Sequence, residues 1–134
     1  MLCVAGDSMV PAYKSGDVAL LTTVDSELDV RNNQFCVFVI ELDSGSTVVK
    51  RLIGVPGDTV ELVEGDTYVN GILVMPRRGK SWDNVTYELG PDDWFFLGDN
   101  REISLDGRWW QPPFVRLDNI KAMVLFSKLD IYNS

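Results

Sequence analysis

Histidine is absent from the 134 residues, and cysteine occurs only twice. Without an imidazole there is no Ser-His-Asp or Cys-His catalytic unit and no histidine-ligated metal site. Cys3 and Cys36 have neither metal-pair spacing nor the CxxC arrangement of a redox pair. They read as small hydrophobes or, in an oxidising compartment, as a disulfide, and spacing alone does not choose between the two. Positive charge is also scarce, with 12 Lys and Arg against 20 Asp and Glu, a formal net charge of −8. A protein that wraps nucleic acid needs a basic face to neutralise phosphates, so that class is disfavoured. No apolar run approaches the roughly 20 residues that cross a bilayer. The longest candidate, Phe35 to Ile40, is the size of a strand. Met1-Leu2-Cys3-Val4-Ala5 lacks the basic start of a secretory signal and stops at Gly6-Asp7. The chain therefore reads as soluble.

What is present is an ordinary globular composition, 46% apolar with 11 Gly and 6 Pro, which excludes disorder and low complexity. A chain of this length buries about two-thirds of its unfolded surface and needs no disulfide staples. With no repeat and no linker, residues 1–134 read as a single domain. The pattern predicts an all-β, mainly antiparallel fold. Asp17 to Val24 and Gln34 to Leu42 are rich in β-branched and aromatic residues between Gly, Asp and Asn. Asp43-Ser-Gly-Ser46 forms a short turn into Thr47 to Ile53, and Thr59 to Val63 follows Pro56-Gly57-Asp58. Thr67 to Val69 and Ile72 to Val74 flank Asn70-Gly71, a hairpin signal because both central residues of a type I′ turn need positive φ. Met75 to Pro91 is polar and without period, and reads as a surface loop or flap. Strands return at Trp94 to Leu97 and at Ile120 to Ser127. Helix is expected only as a turn or two, around Ser8 to Tyr13 or Arg116 to Asn119.

With no histidine, a nucleophile must draw on a carboxylate, lysine or tyrosine as its base. In Val48-Val49-Lys50-Arg51-Leu52-Ile53, alternation puts Lys50 on the face of Val48 and Leu52. Burial there penalises the ammonium and favours a neutral amine that can take a proton from a serine hydroxyl. A snorkelling lysine on an edge strand fits the same strand. Ser8, between Gly6-Asp7 and Met9-Val10-Pro11, sits on an expected turn whose backbone N–H groups can serve as oxyanion donors; a capping serine fits there too. Gly98-Asp99-Asn100-Arg101 to Ser104, Asp106 and Arg108 packs mixed charges and a serine behind an apolar strand. Such a loop needs internal hydrogen bonds, and Asp106 and Arg108 are spaced to pair; a solvated loop with a surface ion pair is the plainer reading.

Together, Ser8-Met9-Val10-Pro11, Lys50-Arg51-Leu52-Ile53-Gly54-Val55-Pro56-Gly57-Asp58 and Gly98-Asp99-Asn100-Arg101 through Arg108 resemble, in order, the signature boxes of type I signal peptidases. Val69-Asn70-Gly71 resembles the family's hairpin and Asn119-Ile120 the start of its last strand. The resemblance implies a β-rich catalytic core with little helix and a small hairpin or flap. It implies a serine endopeptidase that cleaves signal peptides of exported pre-proteins after small residues, in an Ala-x-Ala pattern, without metal or other cofactor. Ser8 would be the nucleophile, Lys50 the neutral general base and Ser104 the group orienting the lysine. Gly6 would help the Ser8 N–H form the oxyanion hole. Asp106 and Arg108 would hold the Ser104 loop, with Asp99 and Asn100 in the same supporting set.

The family's N-terminal transmembrane anchor does not match anything before Ser8, so the resemblance implies the soluble part of a membrane-anchored protein. Its place would be the extracytoplasmic face of a bacterial cytoplasmic membrane. The short gap between Lys50 and the last box matches the compact Gram-positive-type enzymes. Ala12 stands where threonine is usual, Gly107 precedes Arg108 where serine is usual, and Trp109-Trp110-Gln111 replaces a stretch where glycine is common. Trp82, Trp109 and Trp110 carry amphipathic rings that suit a membrane interface or an aromatic core and rim equally. The alternative function is a pilus or surface-protein assembly factor acting by binding, or a dedicated pilin-processing peptidase. The self-cleaving repressor family shares the Ser/Lys pair but lacks the last box, and no helix-turn-helix pattern is present here.

Overall fold

The computed structural model describes Leu2–Cys3, Met9 and residues 18–127. Two antiparallel sheets make up the protein there. The larger contains β1 (Leu2–Cys3), β2 (Val18–Thr23), β3 (Val37–Glu41), β4 (Thr47–Gly54), β9 (Phe95–Leu97) and β10 (Ile120–Ser127) in the order β1-β2-β10-β3-β4-β9. The smaller contains β5 (Thr59–Val63), β6 (Asp66–Val69), β7 (Ile72–Met75) and β8 (Val85–Glu88) in the order β7-β6-β5-β8. The β-rich, mainly antiparallel architecture expected from the strand pattern is the one observed.

Alternation decides where each strand puts its side chains. Leu52 and Phe96 pack with Phe38, Ile40 and Trp94 in one core, and their neighbours Ile53, Phe95 and Leu97 pack with Val60, Leu62 and Val69 in another that joins the two sheets. A third cluster gathers Met9, Val37, Val39 and Val124 on the opposite face of β3 from Phe38. Pro56-Gly57-Asp58 forms the corner between β4 and β5. The Asp58 carboxylate accepts from Val55 N (3.0 Å), Gln34 Nε2 (2.9 Å) and Asn70 Nδ2 (2.9 Å). That corner thus ties the end of one sheet to the hairpin of the other. Asn70 and Gly71 have φ of 51° and 82°, as the hairpin chemistry requires.

Two expectations need correction. Met75 to Pro91 is not all loop, because β8 pairs antiparallel with β5, Val60 opposite Tyr87 and Leu62 opposite Val85. Tyr87 and Leu89 turn inward against the Phe95 cluster, so a period-two pattern does exist there. It is too short, and too close to the polar run before it, to stand out. A single-turn helix, α1 (Glu27–Arg31), also forms where only connection was expected. Ser26 Oγ caps it by accepting from Asp29 N (3.2 Å), and Arg31 pairs with Glu27 at 3.0 Å. Of the two helical turns expected, Arg116 to Asn119 contains a 3-10 turn at Leu117–Asn119. Ser8 to Tyr13 lies outside the described residues apart from Met9.

Candidate active site

Lys50 lies in mid-β4 opposite Phe38 and is 4% exposed. Burial pushes its ammonium below the ordinary lysine range; Asp106 opposes this and Arg108 reinforces it. No carboxylate touches the amine among the described residues. Its hydrogen-bond partner is the hydroxyl of Ser104, at 3.1 Å from Nζ. β9 pairs with β4 only from Arg51 onward, so among the described residues no strand covers the outer edge of Thr47 to Lys50.

Ser104 is buried on the loop that follows β9, and that loop is held from several sides. Ser104 N donates to Asn100 O (3.0 Å). The Ser104 carbonyl accepts from Arg108 Nη2 (3.2 Å) and from Trp109 Nε1 (3.1 Å). Asp106 is fully buried and grips Arg108 through both oxygens, at 2.8 Å to Nε and 3.0 Å to Nη2, while accepting from Gly98 N (2.9 Å). Burial would lower the Arg108 guanidinium, but its hydrogen bonds and charge contacts with Asp106 and Asp83 together outweigh that and raise it. Asp99 pairs with Arg51 in a two-pronged contact of 2.8 and 2.7 Å, which pins the start of the loop to β4. Gly107 occupies a place with no room for a side chain. A Cβ there would stand 2.5 Å from the Phe95 ring and 3.0 Å from Phe96 O.

The structure therefore brings Lys50, Ser104, Asp99, Asn100, Asp106 and Arg108 into one cluster built on β4 and the loop after β9. Ser8 and Gly6 lie outside the described residues. Met9, one residue after Ser8, is buried against Val37, Val39 and Val124, next to the strand that carries Lys50.

A family model described as signal peptidase, peptidase S26, matches residues 1–128. The chain belongs to the signal peptidase family. It is 32% identical to signal peptidase I S of Bacillus subtilis over 128 residues, covering 78% of this chain and 64% of that protein. With signal peptidase IB of Staphylococcus aureus it shares 31% identity, over 78% of this chain and 65% of the relative. The match to the probable signal peptidase I-2 of Synechocystis covers 53% of that protein at 29% identity, over 80% of this chain. The chain thus spans between about half and two-thirds of the length of these relatives. Its fold is similar to the crystal structure of a signal peptidase I from Enterococcus faecalis V583, with a TM-score of 0.57 and 25% identity. That superposition covers 67% of this chain and 93% of the other.

Within this signal peptidase family member, three contributors to the cluster escape a reading of sequence alone. Arg51 was visible only as part of its motif, and its bond to Asp99 spans residues far apart in the chain. Arg101 is buried and reaches across to the smaller sheet, donating to Gly98 O (2.8 Å), Thr67 Oγ1 (2.9 Å) and Met75 Sδ (3.4 Å). Burial pulls its guanidinium down to about 10, against the opposing pull of Asp106. Asp83, in the segment read as flap, bonds to Arg108 at 2.8 Å. Nothing local marks Asp83, because its partner lies 25 residues further on.

Proposed function

We propose that this domain is the catalytic part of a serine endopeptidase that removes signal peptides from exported pre-proteins, with Ser8 as nucleophile and neutral Lys50 as general base. One observation carries the reading: a lysine amine buried in a sheet and hydrogen-bonded to a serine hydroxyl, with no carboxylate paired to it among the described residues. A structural buried lysine normally needs a counter-ion, because desolvating an unpaired charge is costly. A lysine that works as a base needs the reverse, a dry site that favours the uncharged amine.

Met9 and Lys50 lie on opposite faces of the larger sheet, at its β3–β4 portion. On this reading Ser8, one residue from Met9, would come to the amine around the uncovered edge of β4. Attack by Ser8 Oγ on the scissile carbonyl would pass its proton to Lys50 Nζ and give a tetrahedral adduct, whose C–N bond then breaks to leave the acyl-enzyme. The resulting ammonium protonates the leaving amine, and water then resolves the ester with Lys50 again as base. Ser104 holds the amine in direction throughout. Backbone N–H groups at Ser8 and Gly6 would receive the oxyanion.

The same edge suits the substrate. An extended peptide can add to Thr47–Lys50 as a strand, its backbone satisfied by the open row of N–H and C=O groups. Residues two apart in a strand face the same way, so an Ala-x-Ala sequence turns both small side chains toward one wall. The full-length protein would act at the outer face of a bacterial cytoplasmic membrane on signal peptides. The test is cleavage of an Ala-x-Ala peptide in detergent, followed by mass spectrometry, with Ser8→Ala as control. Wild-type cleavage at the expected bond, lost in Ser8→Ala, is the expected result. Cleavage that survives Ser8→Ala removes the nucleophile, and binding of a pilin subunit with no cleavage by either protein favours the assembly-factor reading.

A further inference from the structure

The segment between β7 and β8 crosses back over the β5–β6 turn and reaches the Ser104 loop. Gly65 N donates to Asp83 O (3.0 Å) and Glu64 N to Asn84 Oδ1 (2.8 Å), fixing the segment to the smaller sheet. On its other side Lys80 N meets the Glu102 carboxylate. At the centre, Ser81 Oγ donates to Asp83 Oδ2 (2.7 Å), and that oxygen accepts from Arg108 Nη1 at 2.8 Å. Ser81 Oγ also accepts from Arg108 Nη1, at 3.1 Å.

The Arg108 side chain is 4% exposed, and its fork is shared between two carboxylates. Asp106 takes Nε and Nη2, whereas Asp83 and Ser81 take Nη1. The Nη2 end reaches the carbonyls of Arg101 (3.0 Å) and Ser104 (3.2 Å). A planar guanidinium is rigid, so a ligand at one prong fixes the direction of the others. Burial would raise the Asp83 carboxyl, but the hydrogen bonds from Ser81 and Arg108 hold it below the usual range.

We propose that Asp83, assisted by Ser81, is a positioning residue of the active site: by holding the free prong of Arg108 it sets the Ser104 carbonyl, and through Ser104 the direction of the Lys50 amine. This rests on the Ser/Lys reading above. Asp83 bonds to Ser81, Arg108 and Gly65 N, and acts on Lys50 only at second hand. Its influence runs through one guanidinium and one serine, Ser104 Oγ standing 3.1 Å from Nζ. Misplacing a catalytic group by about an ångström can cost up to roughly a hundredfold in rate.

The experiment compares the chain with Asp83→Ala, Asp83→Asn and Trp82→Ala in peptide cleavage, separating kcat from KM. Trp82 belongs to the same segment but stacks on Arg77 at 3.6 Å and is exposed, so it controls for loss of the segment in general. Asp83→Ala is expected to lower kcat about tenfold with KM within about twofold. Asp83→Asn keeps an oxygen for the Arg108 N–H and should recover part of that loss, while Trp82→Ala should match wild type. Equal kcat in wild type and a folded Asp83→Ala overturns the proposal, as does a fall in Trp82→Ala equal to that in Asp83→Ala.

Hydrogen exchange on the same proteins gives an answer that needs no turnover. Faster exchange at Ser104 N and Gly107 N in Asp83→Ala and Asp83→Asn, with β3 and β4 unchanged, is expected. Unchanged exchange at those amides, or loss of protection throughout the sheet in both Asp83 variants, overturns the positioning role. If the wild type proves inactive and the loop amides still respond, the Ser/Lys reading fails while the coupling of Asp83 to the Ser104 loop stands.

Discussion

At the scale of single residues, Lys50 shows how a site can be assembled against stability. Among the described residues, no carboxylate pairs with the buried Lys50 amine opposite Phe38 to compensate the desolvation of its charged form. Replacing it by methionine, similar in reach but apolar, should abolish turnover and raise the melting temperature at pH 7 by a few degrees, as substitutions that relieve a strained functional site commonly do. Parallel peptide assays and thermal melts check both halves. Lys50→Arg should be as inactive as Lys50→Met, because a guanidinium keeps its proton near neutrality; a peptide assay showing turnover would remove the general-base role. Ser104→Ala should cost less than loss of Lys50, since the amine would remain in place but lose its orienting partner. A single-turnover rate reads that difference directly.

At the scale of elements, the loop after β9 depends on the strand it follows. Phe95 turns its ring to the inter-sheet core and covers Gly107, so the position that carries serine in the resembled motif has no space for a Cβ here. Gly107→Ala should cost about 1–3 kcal/mol by overpacking, read from urea unfolding, and should also lower activity, because Gly107 N donates to Phe96 O beside the Asp106–Arg108 pair. Phe95→Leu in the same chain should recover part of the activity loss by making room. Non-additive unfolding energies in the double variant would show the two positions sharing one contact. The edge of β4 belongs to the same scale: its first half is uncovered among the described residues, and its second half is paired by β9. One strand thus serves both as scaffold and as candidate docking edge.

At the scale of the whole molecule, Lys50 links pH to both activity and stability. Because its folded pKa lies below that of the free side chain, the unfolded chain binds more protons between the two values. Stability from this group is therefore withheld at lower pH and regained as pH rises through the folded pKa toward the ordinary lysine value. Peptidase activity should climb over the lower part of the same window, and the melting-temperature gap between Lys50→Met and wild type should narrow as pH rises. Melts at a series of pH values measure the gap, and a constant gap would mean that Lys50 does not titrate differently on folding. Much of this molecule was legible in its residues. The β-branched runs, the Asn70-Gly71 turn and the alternation around Lys50 are local, and local sterics and period-two burial enforce them. The three motifs pointed to the family that the chain belongs to, and with the absence of histidine they motivate the Ser/Lys chemistry proposed above. Local pattern could not reveal β8, whose pairing with β5 is decided by the inter-sheet core, nor α1, one turn long and held by its cap. Partners distant in sequence were equally hidden: Asp83 with Arg108, Arg51 with Asp99, and Arg101 with Thr67 across the sheets. Sequence determined which groups could do the chemistry, because that is a property of side chains. Only the tertiary structure decided that Lys50 is dry and bonded to Ser104, because burial and hydrogen-bond geometry arise where β4 and the loop after β9 come together.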